Sequence, residues 1–168
     1  MNFEIARFGA GFFHLFFTSM SERFIWQNME AEMPRLNTAR LEEWIGRVAE
    51  SHHKVVSGLT YIFCNDDYIL QVNRQFLNHD YFTDIITFDY CRGQMLRGDL
   101  VISLDTVASN AAERSLPYRQ ELMRVIIHGV LHLCGINDKG PGEREIMEAN
   151  EDAALALLDG DIDDYFTD

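Results

Sequence analysis

Apolar residues recur at helical spacing in TARLEEWIGRVAES, residues 38 to 51, where Leu41, Trp44, Ile45 and Val48 share one face. The next stretch, GLTYIFCN (58 to 65), is β-branched and aromatic and reads as a strand. NDDYILQVNRQFLN (65 to 78) returns to helical spacing through Ile69, Val72 and Phe76. Asn65 is placed to cap that helix, and Asp66 and Asp67 suit its positive first turn. TDIITFDY (83 to 90) and GDLVISL (98 to 104) read as two strands, and Gly93 between them predicts a hairpin. Asp105 is the expected cap of a helix over TVASNAAERS. Pro117 then opens the helix PYRQELMRVIIHGVLHLC at a turn where its missing N–H costs nothing, and Gly135 stops it. A last helix spans residues 142 to 158. Helices and strands without strict alternation predict an α+β fold: a small mixed sheet packed by helices, with the helix carrying an HxxxH motif at its centre. No repeat or linker breaks the chain. The expected organisation is an N-terminal extension (1–33), one catalytic domain (34–158) and an acidic tail (159–168).

Composition sharpens this picture at few points. With 168 residues, 47% of them hydrophobic, the chain can bury one core. Its formal charge of -13 argues against broad, unspecific nucleic-acid binding, though not against a local basic groove. The tail DGDIDDYFTD carries Asp159, Asp161, Asp163, Asp164 and Asp168 and is expected to be solvated and frayed. Three cysteines, Cys64, Cys91 and Cys134, form no CxxC and are odd in number. That disfavours a disulfide framework, fits a reducing cytoplasm, and makes each a small buried apolar residue. The N-terminal run FGAGFFHLFF is too short for a membrane span, which needs about 20 apolar residues. As a signal peptide it would have Glu4 in its basic region and no clear cleavage site. A third reading puts it upstream of a natural start at Met20 or Met29. No membrane association is expected.

The chemistry concentrates in IIHGVLHLCGIND, residues 126 to 138. On a helix, His128 and His132 lie one turn apart on the same face and can turn two imidazoles to one ion. A third ligand needs the chain to reverse. Gly135 stands where a left-handed helix end would form, because glycine reaches positive φ without a Cβ clash. Asp138 can then swing back. Two neutral nitrogens and one carboxylate suit a single Zn²⁺ with an open fourth position. His14, His52, His53 and His79 do not compete for this site.

The spacing resembles the metzincin protease pattern H-E-x-x-H-x-x-G-x-x-H. Those proteases place a glutamate, their general base, directly after the first histidine. Here that position is Gly129, which offers no proton acceptor and is expected to leave room beside the metal. A peptidase-like metal-dependent hydrolase is therefore the weaker reading.

The sequence more closely resembles the YbeY endoribonuclease family. HGVLHLCGIND matches that family's H-G-x-L-H-L-x-G signature at His128, Gly129, Leu131, His132, Leu133 and Gly135. TDIITFDY and GDLVISLDTV match a second block, and the likeness runs in order over about residues 38 to 158. The resemblance implies a single-strand-specific, metal-dependent endoribonuclease. The implied work is maturation of the 16S rRNA 3′ end and ribosome quality control, in the cytoplasm. The implied partners are ribosomal RNA, the small ribosomal subunit and an assembly GTPase. The implied catalytic and metal-binding residues are His128, His132 and Asp138.

Two departures stand out. The family's usual third ligand is histidine, and this chain has Asp138, an acid that also binds Zn²⁺. The family often carries Y-R ahead of the T-D block to handle RNA phosphates, whereas Phe82 follows Tyr81 here. Arg124, one turn before His128, is a substrate-binding candidate; the alternative is an ion pair, with Glu121 the nearest acid on its face. Arg97 and Lys139 are further candidates from loops. Thr83, Asp84 and Asp99 read as structural, with orientation of a metal-bound histidine as a second role. A third class of function remains: a non-catalytic ribosome-assembly factor with a structural metal, which would need four protein ligands.

Overall fold

The computed structural model describes residues 4–6 and 23–167. In chain order the elements are β1 (Glu4–Ala6), β2 (Phe24–Met29), α1 (Thr38–Ser51), β3 (Val55–Cys64), α2 (Asp66–Leu77), β4 (Ile85–Asp89), β5 (Met95–Ser103), α3 (Leu104–Glu113), α4 (Tyr118–Leu133), α5 (Glu143–Leu155) and a 3-10 turn at Ile162–Tyr165. The five strands form one sheet in the order β1-β4-β5-β3-β2. β4 and β5 pair antiparallel, and the other three pairings are parallel, so the sheet is mixed. The predicted hairpin is present: Gly93 turns it at φ 60°, and Arg92 pairs with Met95 at its tip.

The sheet is covered on both faces, which explains the unbroken apolar run at the end of β3. Ile62 and Cys64 pack with Ile69 and Val72 of α2 and with Ile86, Phe88 and Val101. Tyr61 and Phe63 point the other way, into the larger core with Trp44, Leu122, Ile126, Val130 and Met147. Burying a side chain such as Leu41 or Ile45 is worth roughly 1.5–3 kcal/mol. Trp44 also donates its indole N–H to the Ala154 carbonyl at 2.8 Å, tying α1 to α5 without leaving a buried donor unmet.

The α+β architecture and the long central helix agree with the sequence reading; several boundaries do not. Ser103, rather than Asp105, caps α3, its hydroxyl accepting from the Thr106 N–H at 3.3 Å. Asp105 instead accepts from the Asp66 N–H at 3.0 Å and so supports the start of α2. Phe24–Met29 was expected in an extension, yet it pairs with β3 along its length, and Trp26 stacks on Tyr61 with ring centroids 4.5 Å apart. The folded unit therefore starts before residue 34. The apolar run after Arg7, with its candidate start at Met20, lies outside the described residues.

The acidic tail is docked, not frayed. Tyr165 is 1% exposed and meets Trp44 edge-on at 6.2 Å. The Asn37 N–H donates to the Tyr165 carbonyl at 2.9 Å, and the Thr167 N–H to the Arg35 carbonyl at 2.9 Å. One buried aromatic side chain outweighs the charge of Asp159, Asp161, Asp163 and Asp164, which remain at the surface.

Candidate metal centre

The site begins with the way α4 ends. Gly135 adopts φ 97°. Its N–H donates to the His132 carbonyl at 2.9 Å, and the Ile136 N–H reaches back to Leu131 at 3.1 Å. These two bonds make a Schellman cap, which satisfies late helix carbonyls and reverses the chain. The reversal turns the Ile136 carbonyl toward the helix, where His132 donates to it from Nδ1 at 2.8 Å. Two residues later Asp138 arrives beside both histidines. Its Oδ2 lies 3.7 Å from Nε2 of His128 and 3.7 Å from Nε2 of His132. One ligand atom from each of the three residues falls within 4.8 Å of the others. The imidazoles stand nearly perpendicular, at 85°, with centroids 4.4 Å apart.

This donor set fits a metal ion. Each histidine donates its Nδ1 proton to an oxygen, His132 to a carbonyl and His128 to Glu151 Oε1 at 2.6 Å. That selects the tautomer whose Nε2 lone pair faces Asp138, which is the arrangement metal-binding histidines adopt. Burial holds the His128 imidazole below its ordinary pKa, against the pull of Glu151, and so favours the neutral form a metal requires. Burial pushes the Asp138 carboxyl up, but the neighbouring His132, His128 and Lys139 outweigh it; the net shift is downward, toward the carboxylate. Among the described residues no fourth His, Cys, Asp or Glu joins the group.

The centre opens into a cleft of about 300 Å³, whose walls include Arg114, Arg124, Arg144 and Glu148. Arg124 is indeed ion-paired, but not with Glu121. It binds Glu151 Oε2 at 2.8 Å and Asp152 Oδ1 at 3.1 Å, both from α5. Glu121 instead faces Arg114 at 3.5 Å. Arg97 does not line the cleft; it lies on β5 beside Gly58 and Cys91.

Gly129 also differs from expectation. A Cβ there would point into the sheet rather than toward the metal, meeting Leu100, Ile85 Cδ1 at 2.8 Å and Thr87 Oγ1 at 3.0 Å. The glycine lets α4 lie close on β4 and β5. A glutamate at this position could not serve as a base beside the ion, which removes the peptidase geometry on steric grounds as well.

Comparison with known proteins decides the family. A model described as Endoribonuclease YbeY matches residues 26–159. The chain belongs to the YbeY family. Among YbeY relatives, Endoribonuclease YbeY of Phocaeicola vulgatus is 61% identical over 133 residues, which cover 79% of this chain and 96% of the relative. The Bacteroides fragilis protein of that name is 58% identical over 132 residues, 79% of this chain and 95% of the relative. The Porphyromonas gingivalis protein is 50% identical, covering 75% and 83%. A solution structure of the Thermotoga maritima protein TM1509 is 22% identical, with a TM-score of 0.54 over 82% of this chain and 97% of that one, and shows the same fold.

One residue of this YbeY site escaped the sequence reading. The acid that orients His128 is Glu151, from α5, not Asp84 or Asp99. Asp84 accepts instead from Asn110 at 3.0 Å, and Thr83 bonds to the Ile85 carbonyl at 3.3 Å. A signal for Glu151 existed: it stands between Met147 and Ala154 on the buried stripe of α5, where an acid has no place unless something pairs with it.

Proposed function

We propose that this chain is a metal-dependent endoribonuclease that cleaves single-stranded RNA during ribosomal RNA maturation, with His128, His132 and Asp138 holding one zinc ion. The observation that carries the reading is the convergence of three ligand atoms within 4.8 Å beside a cleft lined by Arg114, Arg124 and Arg144 together with Glu148, Glu151 and Asp152. The name carried by relatives up to 61% identical supports the reaction class. The finer reading is processing of the 16S rRNA 3′ end and ribosome quality control in the cytoplasm, with the small ribosomal subunit and an assembly GTPase as partners. No helix among the described residues is long and apolar enough to cross a membrane.

When bound, the ion would polarise a phosphate oxygen and lower the pKa of a water. The protein does the rest by position. His128 and His132 present neutral nitrogens because their other ring nitrogens are tied to Glu151 and Ile136. Arg114 and Arg144 stand on the cleft wall and can exchange their acidic partners, Glu121 and Glu148, for the phosphates on either side of the scissile bond. No carboxylate in the motif is placed as a separate base: Glu151 is held by His128 and Arg124. Three ligands rather than four also favour a catalytic over a structural metal.

Bound metal and cleavage of a single-stranded RNA should be measured together in wild type, His128→Ala and Asp138→Ala. The histidine variant is expected to lose both, and the aspartate variant to lose at least about tenfold in metal affinity. RNA cleavage that survives in metal-free protein would overturn the proposal. Four protein ligands in an X-ray absorption spectrum would instead support the non-catalytic assembly factor.

A further inference from the structure

We infer that Arg124 is a positioning residue, which acts through Glu151 to hold the His128 imidazole in its metal-binding orientation. The inference rests on His128, His132 and Asp138 being the metal ligands. A glutamate that bonds a histidine through one oxygen can still rotate, because its terminal torsion is broad and roughly two-fold. In this chain both oxygens are engaged. Oε1 accepts from His128 Nδ1 at 2.6 Å, and Oε2 accepts from Arg124 Nη1 at 2.8 Å. The guanidinium is fixed in turn, since its Nη2 donates to Asp152 Oδ1 at 3.1 Å. The result is a continuous line of hydrogen bonds from the solvent edge to the ligand: Asp152, Arg124, Glu151, His128.

Burial grades along that line. The side chain of Asp152 is 71% exposed, that of Arg124 15%, that of Glu151 8% and that of His128 2%. The chemistry asks for arginine. A planar fork can address two carboxylates on successive residues of α5, which a lysine point charge does less well. Arg124 and His128 lie one turn apart on α4, and Glu151 faces them both from α5. The line therefore also sets the spacing of the two helices where the metal sits.

A phosphate contact by Arg124 would require breaking a largely buried charge pair. Arg144 is the contrast: its partner Glu148 is an exposed neighbour on the same helix, with side chains 65% and 54% accessible. Such a pair contributes little, so that guanidinium can turn to a phosphate readily.

The test compares Arg124→Gln, Arg124→Lys and Asp152→Asn in the full chain. Zn²⁺ and Co²⁺ affinities are measured by chelator competition, with the cobalt d–d spectrum and a thermal melt in EDTA alongside. Positioning predicts that Arg124→Gln weakens metal binding 10–100-fold and alters the cobalt spectrum, about the loss that removing an outer partner of a metal-bound histidine causes. Arg124→Lys should recover only part of that affinity, since a point charge can hold Glu151 but not Asp152 as well, and Asp152→Asn should lose a few-fold. On single-stranded RNA, kcat should fall with KM unchanged. Wild-type metal affinity in Arg124→Gln, with a raised KM, would overturn the inference and make Arg124 a phosphate contact. If Arg124→Gln does not fold, Asp152→Asn decides: wild-type affinity and an unchanged cobalt spectrum there sink it. Loss of metal affinity in the variants of a chain that cleaves no RNA would support the inference while refuting the nuclease reading.

Discussion

Two sets of acids are buried near α4, and their pKa values move in opposite directions. Glu151 sits between His128 and Arg124. Burial pushes its carboxyl up, but those two partners outweigh it, and its pKa falls below the usual glutamate range. Glu121 is 0% exposed, two turns before His128, and among the described residues neither of its oxygens accepts a hydrogen bond. Burial raises its pKa, and Arg114 and Arg124 offset that only in part. Asp84 is pushed up to about 7, first by burial, with Glu121 adding a smaller push. Burial alone does not decide whether an acid keeps its charge; hydrogen-bonded cationic partners do. The acid whose pKa falls serves the candidate metal ligand, and the two whose pKa values rise lie where the helix packs against the sheet.

The sharpest way to break this contrast is to remove Glu151. Glu151→Ala strips His128 of its acceptor and leaves Arg124 with Asp152 alone. Metal affinity should fall roughly 10–100-fold by chelator competition. Unfolding by urea should show a loss toward the lower end of about 3–5 kcal/mol, because Asp152 still faces the guanidinium. A variant that binds metal as wild type would mean the acid is packing, not orientation.

Asp84→Asn tests the other side, with the opposite sign. The folded-state pKa of Asp84 is raised from an ordinary 3.8 to about 7, so the folded protein holds this proton more tightly than the unfolded chain. Its contribution is most favourable below pH 4, declines as pH rises toward about 7, and is flat above that. An asparagine can still accept from Asn110 and never ionises. The variant should therefore be more stable than wild type at pH 8, by about 1–3 kcal/mol, and nearly equal at pH 4. Urea titrations at the two pH values check this; equal stability at both would show Asp84 to be an ordinary carboxylate.

The smallest effect is expected at Arg144. Its exposed pair with Glu148 is worth at most about 0.5 kcal/mol, so Arg144→Ala should leave the melting curve almost unchanged. If it contacts one phosphate, the salt dependence of single-stranded RNA binding should lose about 0.7 from its log–log slope. An unchanged slope would remove Arg144 from the RNA path.

Most of the metal centre was legible because it is local. Eleven residues, His128 to Asp138, hold two candidate ligands one helical turn apart, the glycine that reverses the chain and the third candidate after it. Helix periodicity and one positive-φ position suffice to bring these together. The hairpin and four of the helices followed from equally short-range signals. The errors share a different cause. Asp105 has the chemistry of a cap, but the strand ends two residues too early for it, and Ser103 takes the role. The tail reads as solvent-exposed by its charge, yet a single side chain, Tyr165, is buried against Trp44.

By itself, then, the sequence determined the helix that carries the ligands, the turn that completes them and the family to which the chain belongs, all from patterns spanning a dozen residues or so. Tertiary structure decided the rest. Gly129 faces the sheet rather than the metal because α4 packs closely on β4 and β5. Arg124 turns to α5 rather than to Glu121, and Glu151 rather than Asp84 orients His128, because α5 lays its one buried acid against the ligand helix. Periodicity says which face of a helix is buried; only packing says which side chain of another element meets it there.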